Sequence, residues 1–590
     1  MLFSLLLASA LPFAAAPDTL QAVTVVVDRG VVVSRTDTVS IQALQDVGST
    51  LLLAPGIYVG DYGSAAGLKS ASLRGLGSAH TAIYLDGVRV GNVQSGQADL
   101  GMMDLQDLSF LVVDYAQNSL SFHTAKPVFD GKSVAGAVKL NAGSWGTWQP
   151  YGKLAFSLAP GWSLSAHAGG ILTNGAFPLA DGTTRGNNDL KQLQGGVDLW
   201  GALQGGEIHA KLFYNGAERG TPGSLTWPST DRQKDRNYGA QVALRKQFSA
   251  LYTLHLSAKA AHDQLYYQSA WGDSEYNQTE FQLNTAHKFR LQPWWELSLA
   301  ADVAYDRLNS NLYQQNRWAT VAALSSAFRW DRIKADVALE YGGTFDKGFA
   351  PWHSFSPSAD VRITLVKGLE AVIFGRRAFR TPTFNELYYP GYGTPELKPD
   401  DAYLADAGLD WKWHSGPWSL EARADGFYTY LTNKIASAPS AADPTVWLAY
   451  NIDEARSAGA DVLVNVQHKA DAWTLGCTVR YGYQKAVDAK TGAPLPYLAA
   501  HSLTVHPLAA FYGWTLGATW ALRAGRSDAA GAMPDWNTLD AQLGKDFPLG
   551  SWGSIGFRLT GKNLLDKRYE AISGYPMPGR SVLGGLQFRF

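Results

Sequence analysis

No stretch of about 18 consecutive apolar residues occurs in the 590-residue chain, which excludes a membrane-spanning helix. Cysteine is almost absent. Cys477 stands alone, so neither an intrachain disulfide nor a cysteine-based metal cluster can form, and a single thiol in a strand-like run is packing. Charge is scarce too: Asp, Glu, Lys and Arg make up 17% of the chain, against the ~25% of ordinary soluble domains. With 50 basic and 51 acidic residues there is no electrostatic footprint for nucleic acid. No His/Cys ligand spacing and no nucleophile constellation stands out, so nothing points to an enzyme. What the chain has instead is 60 Gly, 20 Trp and 27 Tyr, and a length too great for one ordinary soluble core.

The first 16 residues carry an apolar run ending in Ala14-Ala15-Ala16, a signal-peptide cleavage pattern, although no Lys or Arg precedes the run. Residues 17–35 follow. Their β-branched stretch from Pro17 to Arg29 suits a strand added to the open sheet edge of a partner, or the first strand of the next domain. Residues 36–134 read as a small α/β domain. Ile41–Leu53 has Leu44, Val47 and Leu51 at helical spacing and stops at Ala54-Pro55-Gly56; Ile57–Val59 resumes as a strand. Two further strand-like runs are Ala71–Arg74, before Gly75-x-Gly77, and Thr81–Leu85, before Asp86-Gly87, which puts Arg74, Asp86 and Arg89 at turns. Asp104 to Tyr115 reads as a short helix leading into the strand Leu108–Val113.

Beyond Trp148 the period changes to two. Leu154, Phe156 and Leu158 alternate with Lys153, Ala155 and Ser157; Tyr252, Leu254, Leu256 and Ala258 alternate with Thr253, His255, Ser257 and Lys259. Such strands recur to the C-terminus. Ten tight turns join them, near Pro160-Gly161, Gly205-Gly206, Ser249-Ala250, Gln292-Pro293, Asp331, Lys367-Gly368, Ser415-Gly416, Ala470-Asp471, Tyr512-Gly513 and Leu549-Gly550. Long polar connections (174–189, 215–237, 263–279, 380–401 and 437–455) alternate with these turns, as in a barrel whose short turns all lie on one side of a membrane. Trp162, Trp294, Trp418, Trp473, Trp514 and Trp552 each follow a tight turn within about two residues, the placement of an interfacial girdle. With one strand before the first hairpin (Ala135–Ala142) and one at the end (Val582–Phe590), the expectation is a transmembrane β-barrel of about 22 antiparallel strands over residues 135–590. A lumen that wide holds a plug, and the N-terminal α/β domain is the right size.

At this point the sequence resembles the TonB-dependent outer-membrane transporters over essentially its whole length, and is nearest to their cobalamin branch. Asp18-Thr19-Leu20 with Val23-Thr24-Val25 looks like the TonB box, with Gln21-Ala22 inserted. Leu51–Val59, Ser72-Leu73-Arg74-Gly75 and Tyr84-Leu85-Asp86-Gly87-Val88-Arg89 look like the plug signature, and Ser95-Gly96-x-Ala98-Asp99-Leu100 is similar to the segment that follows. In the barrel, Phe379–Tyr388 with Leu397-Lys398-Pro399-Asp400, and Gly561–Tyr569, match family motifs. The family's second plug motif, Arg-Gly-Pro with a later Tyr-Gly and Gly-Gly, is missing; the chain reads Asp114–Leu120 and Ala135-Gly136 there. A shortened junction at Val138–Trp145 suggests one strand serving as both plug end and first barrel strand.

The resemblance implies a bacterial outer-membrane protein, energised by the TonB–ExbB–ExbD complex through the box, that takes up cobalamin or a related corrinoid. The alternatives are a ferric siderophore or haem receptor and, more distantly, a passive porin or surface-binding barrel. Some members of the family pair with a surface lipoprotein. Arg74 is expected to couple plug to barrel with Asp406 as a carboxylate partner, alongside Asp86 and Arg89; the alternative is that Arg74 caps its own turn. Tyr62 and the loop aromatics Tyr266, Tyr267, Trp271, Tyr388, Tyr389 and Tyr392 are candidates to contact a large ring system, or belong to the outer aromatic girdle. The residues single out no cofactor with certainty; Asp181, Asn187 and Asp189 offer hard oxygen ligands for a structural calcium in the extracellular loops.

Overall fold

The computed structural model describes residues 36–590 apart from 42–45, 55, 64, 441, 442, 444 and 445. The signal-peptide and TonB-box readings lie outside the described residues.

Twenty-two antiparallel strands, from Val134–Gly143 to Ser581–Arg589, form a closed barrel. The last strand pairs with the first from Leu583↔Gly143 to Arg589↔Ala137, and Phe590 and Gly136 exchange backbone hydrogen bonds of 3.0 and 3.1 Å. Each of the ten tight turns expected from the sequence joins two barrel strands. Period-two alternation has the opposite sense from a soluble sheet. Leu193, Leu212, Phe281 and Phe355 stand exposed on the outer surface, while the polar set of their neighbours (His255, Ser257, Lys259) is buried in the lumen. Lipid solvates the first set, and the plug and its contacts satisfy the second. Trp294, Trp418, Trp473, Trp514 and Trp552 are exposed beside the short turns. Trp162 instead lies across Gly201, where a Cβ would come within 2.6 Å of its ring.

Three of the expected long connections are not loops. The strands Gly206–Gly223 and Pro228–Gln247, Tyr252–Gln268 and Ser274–Gln292, and Trp418–Pro439 and Trp447–Lys469 run on through 215–237, 263–279 and 437–455 as hairpins with short tips. Polar residues there read as loop in the sequence, but a strand that outgrows the bilayer is polar on both faces and stays paired.

Inside the barrel, a five-stranded sheet runs in the order Thr36–Ser40, Leu108–Asp114, Ser119–Thr124, Ala82–Leu85, Val88–Val90, with Ala82–Leu85 parallel to Ser119–Thr124. The hairpin Ile57–Asp61/Lys69–Leu73 packs beside it. Leu51, Leu73, Leu111, Val113, Leu120 and Phe122 form the core, which continues into Phe374 and Leu404 of the barrel wall. The expected helix over Ile41–Leu53 is shorter among the described residues. Ile41 still donates to Ser109 O at the sheet edge, and Val47–Leu51 is helical behind the N-cap Asp46. Gly48, Ser49 and Thr50 are weak helix formers, so the tertiary contacts set its length. The shared plug–barrel strand is also corrected: plug elements end at Thr124, and Val134–Gly143 pairs with barrel strands on both sides.

Candidate functional site

The strand Lys69–Leu73 ends at a turn in which Arg74 (φ 49°) and Gly75 (φ 78°) both adopt left-handed backbone. The approach to the wall is close, since a Cβ on Gly75 would sit 2.3 Å from Gln484 Nε2. The turn delivers the Arg74 guanidinium to three adjacent barrel strands. Nη1 donates to Asp406 Oδ2 at 2.6 Å, Nη2 to Asp425 Oδ2, and Nε to Asp461 Oδ2 at 3.2 Å. The Tyr115 and Phe427 rings lie 4.7 and 4.5 Å from the guanidinium carbon, and all four charged side chains are buried. Arg supplies the fork geometry for several carboxylates at once, which a lysine could not. A second cation lies close by: Arg423 bridges Asp37 of the plug (3.3 Å) and Asp410 (3.1 Å).

Asp86 takes a parallel role at the next turn (φ 51°). Its carboxylate accepts from Thr124 N (2.7 Å) and Oγ1 (2.6 Å) and from Lys211 Nζ of the wall (3.1 Å). Burial alone would raise the Asp86 carboxyl pKa; Lys211, His209 and the Thr124 hydrogen bonds outweigh it and hold it below the ordinary carboxylate range. Lys211→Met leaves this carboxylate buried and unpaired, so the variant is expected to lose about 3–5 kcal/mol of stability, and Asp86→Asn in the same chain should restore most of it. Thermal unfolding in detergent reads this out; a single variant that melts with the parent would rule the contact out as a support. Arg89 lines a cavity between plug and wall, and its carbonyl accepts from Lys259 Nζ at 3.1 Å.

Two motifs that are far apart in the chain meet at the plug apex. Thr383 and Glu386 form a capping box for the helix Phe384–Tyr388, and Phe384 N and Asn385 N donate to Val93 O and Gln94 O of the plug. Gly96 (φ 72°) leaves room for Thr383, whose Cγ2 would lie 2.3 Å from a Cβ there. Arg380 joins Asp400 (2.8 Å) and Glu386 (2.9 Å), and Asp400 also contacts His80 of the plug at 2.7 Å. In the Gly561–Tyr569 segment, Lys562 pairs with the plug helix cap Asp46 at 2.6 Å.

The candidate aromatics divide into separate groups. Tyr388 donates to Asp346 Oδ2 (2.6 Å) and packs at a tilt against Phe349 and Phe384; Tyr389 packs on Tyr313 and Tyr392, and Tyr276 joins the same cluster. Tyr266, Tyr267 and Trp271 lie on another hairpin, where Tyr266 bonds Asp273, Tyr267 bonds Asp231 (2.7 Å), and Trp271 is 86% exposed. Tyr62 packs edge-on against Tyr575 at 4.8 Å. Tyr276, Tyr313 and Tyr575 were not picked out from the sequence, because no local pattern marks them.

Each of the three residues of the calcium reading already has a hydrogen-bond partner. Asp181 Oδ1 accepts from Thr183, Asn187 turns its amide N toward Ser229 O and Asp231 O, and Arg232 Nη1 and Nη2 occupy both Asp189 oxygens at 2.6 and 2.8 Å. A guanidinium already supplies the positive charge there.

Between plug and wall lies a cavity of about 1090 Å³, lined by plug residues such as Tyr84, Arg89 and Asn92 and by wall residues such as Arg245, Glu280 and Asp302. Fold and interface together define a plugged outer-membrane receptor barrel. The model of the TonB dependent receptor-like beta-barrel matches residues 129–564, and that of the TonB-dependent Receptor Plug Domain matches residues 18–125. The chain belongs to the TonB-dependent receptor family, which transports large ligands across the outer membrane with the TonB energising system and is not a family of enzymes. It is 24% identical to the vitamin B12 transporter BtuB of Photobacterium profundum, over 95% of this chain and 92% of that protein. Among solved structures, the Serratia marcescens hemophore receptor HasR superposes with a TM-score of 0.78 (14% identity, 95% of this chain, 100% of HasR). The copper transporter OprC does so with 0.77 (14% identity, 94% of this chain, 99% of OprC).

Proposed function

We propose that this transporter imports cobalamin or a related corrinoid. The observation that carries the reading is the whole-length similarity to a vitamin B12 transporter, reaching from the plug through the barrel. The aromatic cluster around Tyr388, Tyr389 and Tyr392 at the plug apex suits a large planar ring system, which aromatic faces bind by stacking. Arg74, held by three wall carboxylates, is the point at which a pull on the plug meets the barrel, with Asp86 and Arg89 on the following turns as further contacts. Loading the apex through Val93, Gln94 and Gly96 would act on the same plug that this anchor restrains.

Equilibrium binding to the purified protein tests the ligand. Cyanocobalamin is expected to bind in the nanomolar range, about −12 kcal/mol at 1 nM, and ferric siderophores are not. Added calcium is expected to leave the affinity unchanged, because Arg232 already neutralises Asp189. Tight binding of a ferric siderophore without binding of cyanocobalamin would replace the corrinoid with an iron ligand and leave the family assignment as it stands.

A further inference from the structure

At mid-height of the lumen, Asp107 of the plug faces His167 and Asp198 on two neighbouring barrel strands. His167 Nδ1 lies 3.4 Å from Asp107 Oδ2 and 3.8 Å from Asp198 Oδ2, and the three atoms all fall within 4.8 Å of one another. All three side chains are more than nine-tenths buried. None of these three atoms has a hydrogen-bond partner, and the same is true of the Asp104 Oδ2 atom, 4.0 Å from His167 Nε2. Buried polar atoms are normally satisfied, and three orphans within 4.8 Å of one another call for a missing partner.

Each carboxylate is held by its other oxygen. Asp107 Oδ1 accepts from Tyr151 OH (2.9 Å) and Lys153 Nζ (2.6 Å), and Asp198 Oδ1 accepts from His209 Nε2 (2.8 Å). The free oxygens are thereby aimed inward, the outer support that metal ligands usually have. Gly196 makes room for the imidazole, since a Cβ there would stand 2.8 Å from His167 Cε1. Two ligand atoms each about 2.1 Å from one ion sit about 3.0–3.5 Å apart at coordination angles of 90–110°, so modest side-chain rotation closes the set.

We infer that Asp107, His167 and Asp198 form a binding site for a divalent first-row transition ion, which clamps the plug to the barrel wall. One imidazole with two carboxylates favours zinc, cobalt or manganese over calcium, which prefers oxygen ligands alone. The site is distinct from the ligand-capturing apex and does not depend on which molecule is imported.

The test uses the full-length protein in detergent, stripped with dipicolinate, then titrated with Zn²⁺ by calorimetry and with Co²⁺ by visible absorption. The parent is expected to bind one equivalent and to gain thermal stability from it. His167→Gln should lose the stoichiometric site and the metal-dependent rise in Tm, while its Tm without metal shows that it is folded. His209→Gln, which removes the support of Asp198, should weaken binding about 10–100-fold. Asp181→Ala in the surface loop should bind as the parent does. No stoichiometric binding of Zn²⁺ or Co²⁺ by the parent overturns the assignment. Parent-like binding by His167→Gln, or loss of the site in Asp181→Ala, does so as well.

Discussion

The Arg74→Ala protein is expected to bind its ligand within about twofold of the parent affinity and to import almost none of it, because ligand capture and plug anchoring use different residues. The guanidinium is the shared cation of Asp406, Asp425 and Asp461. Removing one member of a buried ion pair costs about 3–5 kcal/mol, most of it the penalty of leaving the other charges unpaired. Here three carboxylates on adjacent strands lose their counterion together, so they repel across the wall where the plug was held. Stability and coupling can be separated. Arg74→Ala combined with Asp425→Asn and Asp461→Asn removes most of the uncompensated charge and is expected to regain thermal stability without regaining uptake. Arg74→Lys should fall between, since an ammonium cannot serve three acceptors in a fixed fork. Uptake of labelled ligand by whole cells, set beside equilibrium binding to the purified protein, gives the answer. Equal losses of binding and uptake would sink the coupling role.

Deletion of Asp18–Val27 is expected to abolish uptake while leaving folding and ligand binding unchanged. Those residues carry the TonB-box resemblance, and the described barrel ladders are built from Val134 onward, so the barrel should close without them. Val25→Pro is the subtler form. An added strand is held by main-chain hydrogen bonds, and proline removes a donor and fixes φ in a strand that must pair along its length. Both variants should reduce uptake to the level of cells lacking the energising complex. Uptake that survives the deletion would instead favour a passive pore.

The barrel was legible because its signal is local. A tight turn, a following Trp and a run of alternating residues each occupy a short window, and ten such turns fix the strand count without any knowledge of contacts. The hairpins beyond the bilayer were misread for the same reason: outside lipid the alternation fades, and polar strand looks like loop. In the candidate site, Arg74 and Asp406 could be singled out, but Asp425 and Asp461 could not. Each is one inward polar residue among many in a period-two strand, and only closure of the barrel sets them beside Arg74. Lys211, His167 and Asp198 were hidden likewise. The spacing of Asp181, Asn187 and Asp189 likewise gives no sign that Arg232, from a different strand, bonds Asn187 and Asp189.

The pairing of Ser581–Arg589 with Val134–Gly143 has a kinetic meaning beyond closing a cylinder. Every other ladder in the wall joins strands consecutive in the barrel, whereas this seam joins segments separated by nearly the whole barrel. Its loop-closure entropy is the largest of any pairing, and non-local contacts form slowly. The seam is therefore the last ladder to zip during assembly and the first place where an incomplete wall can gape. Until it closes, the plug's contacts with strands on either side of it cannot all exist at once, so seating the plug and sealing the wall are one event.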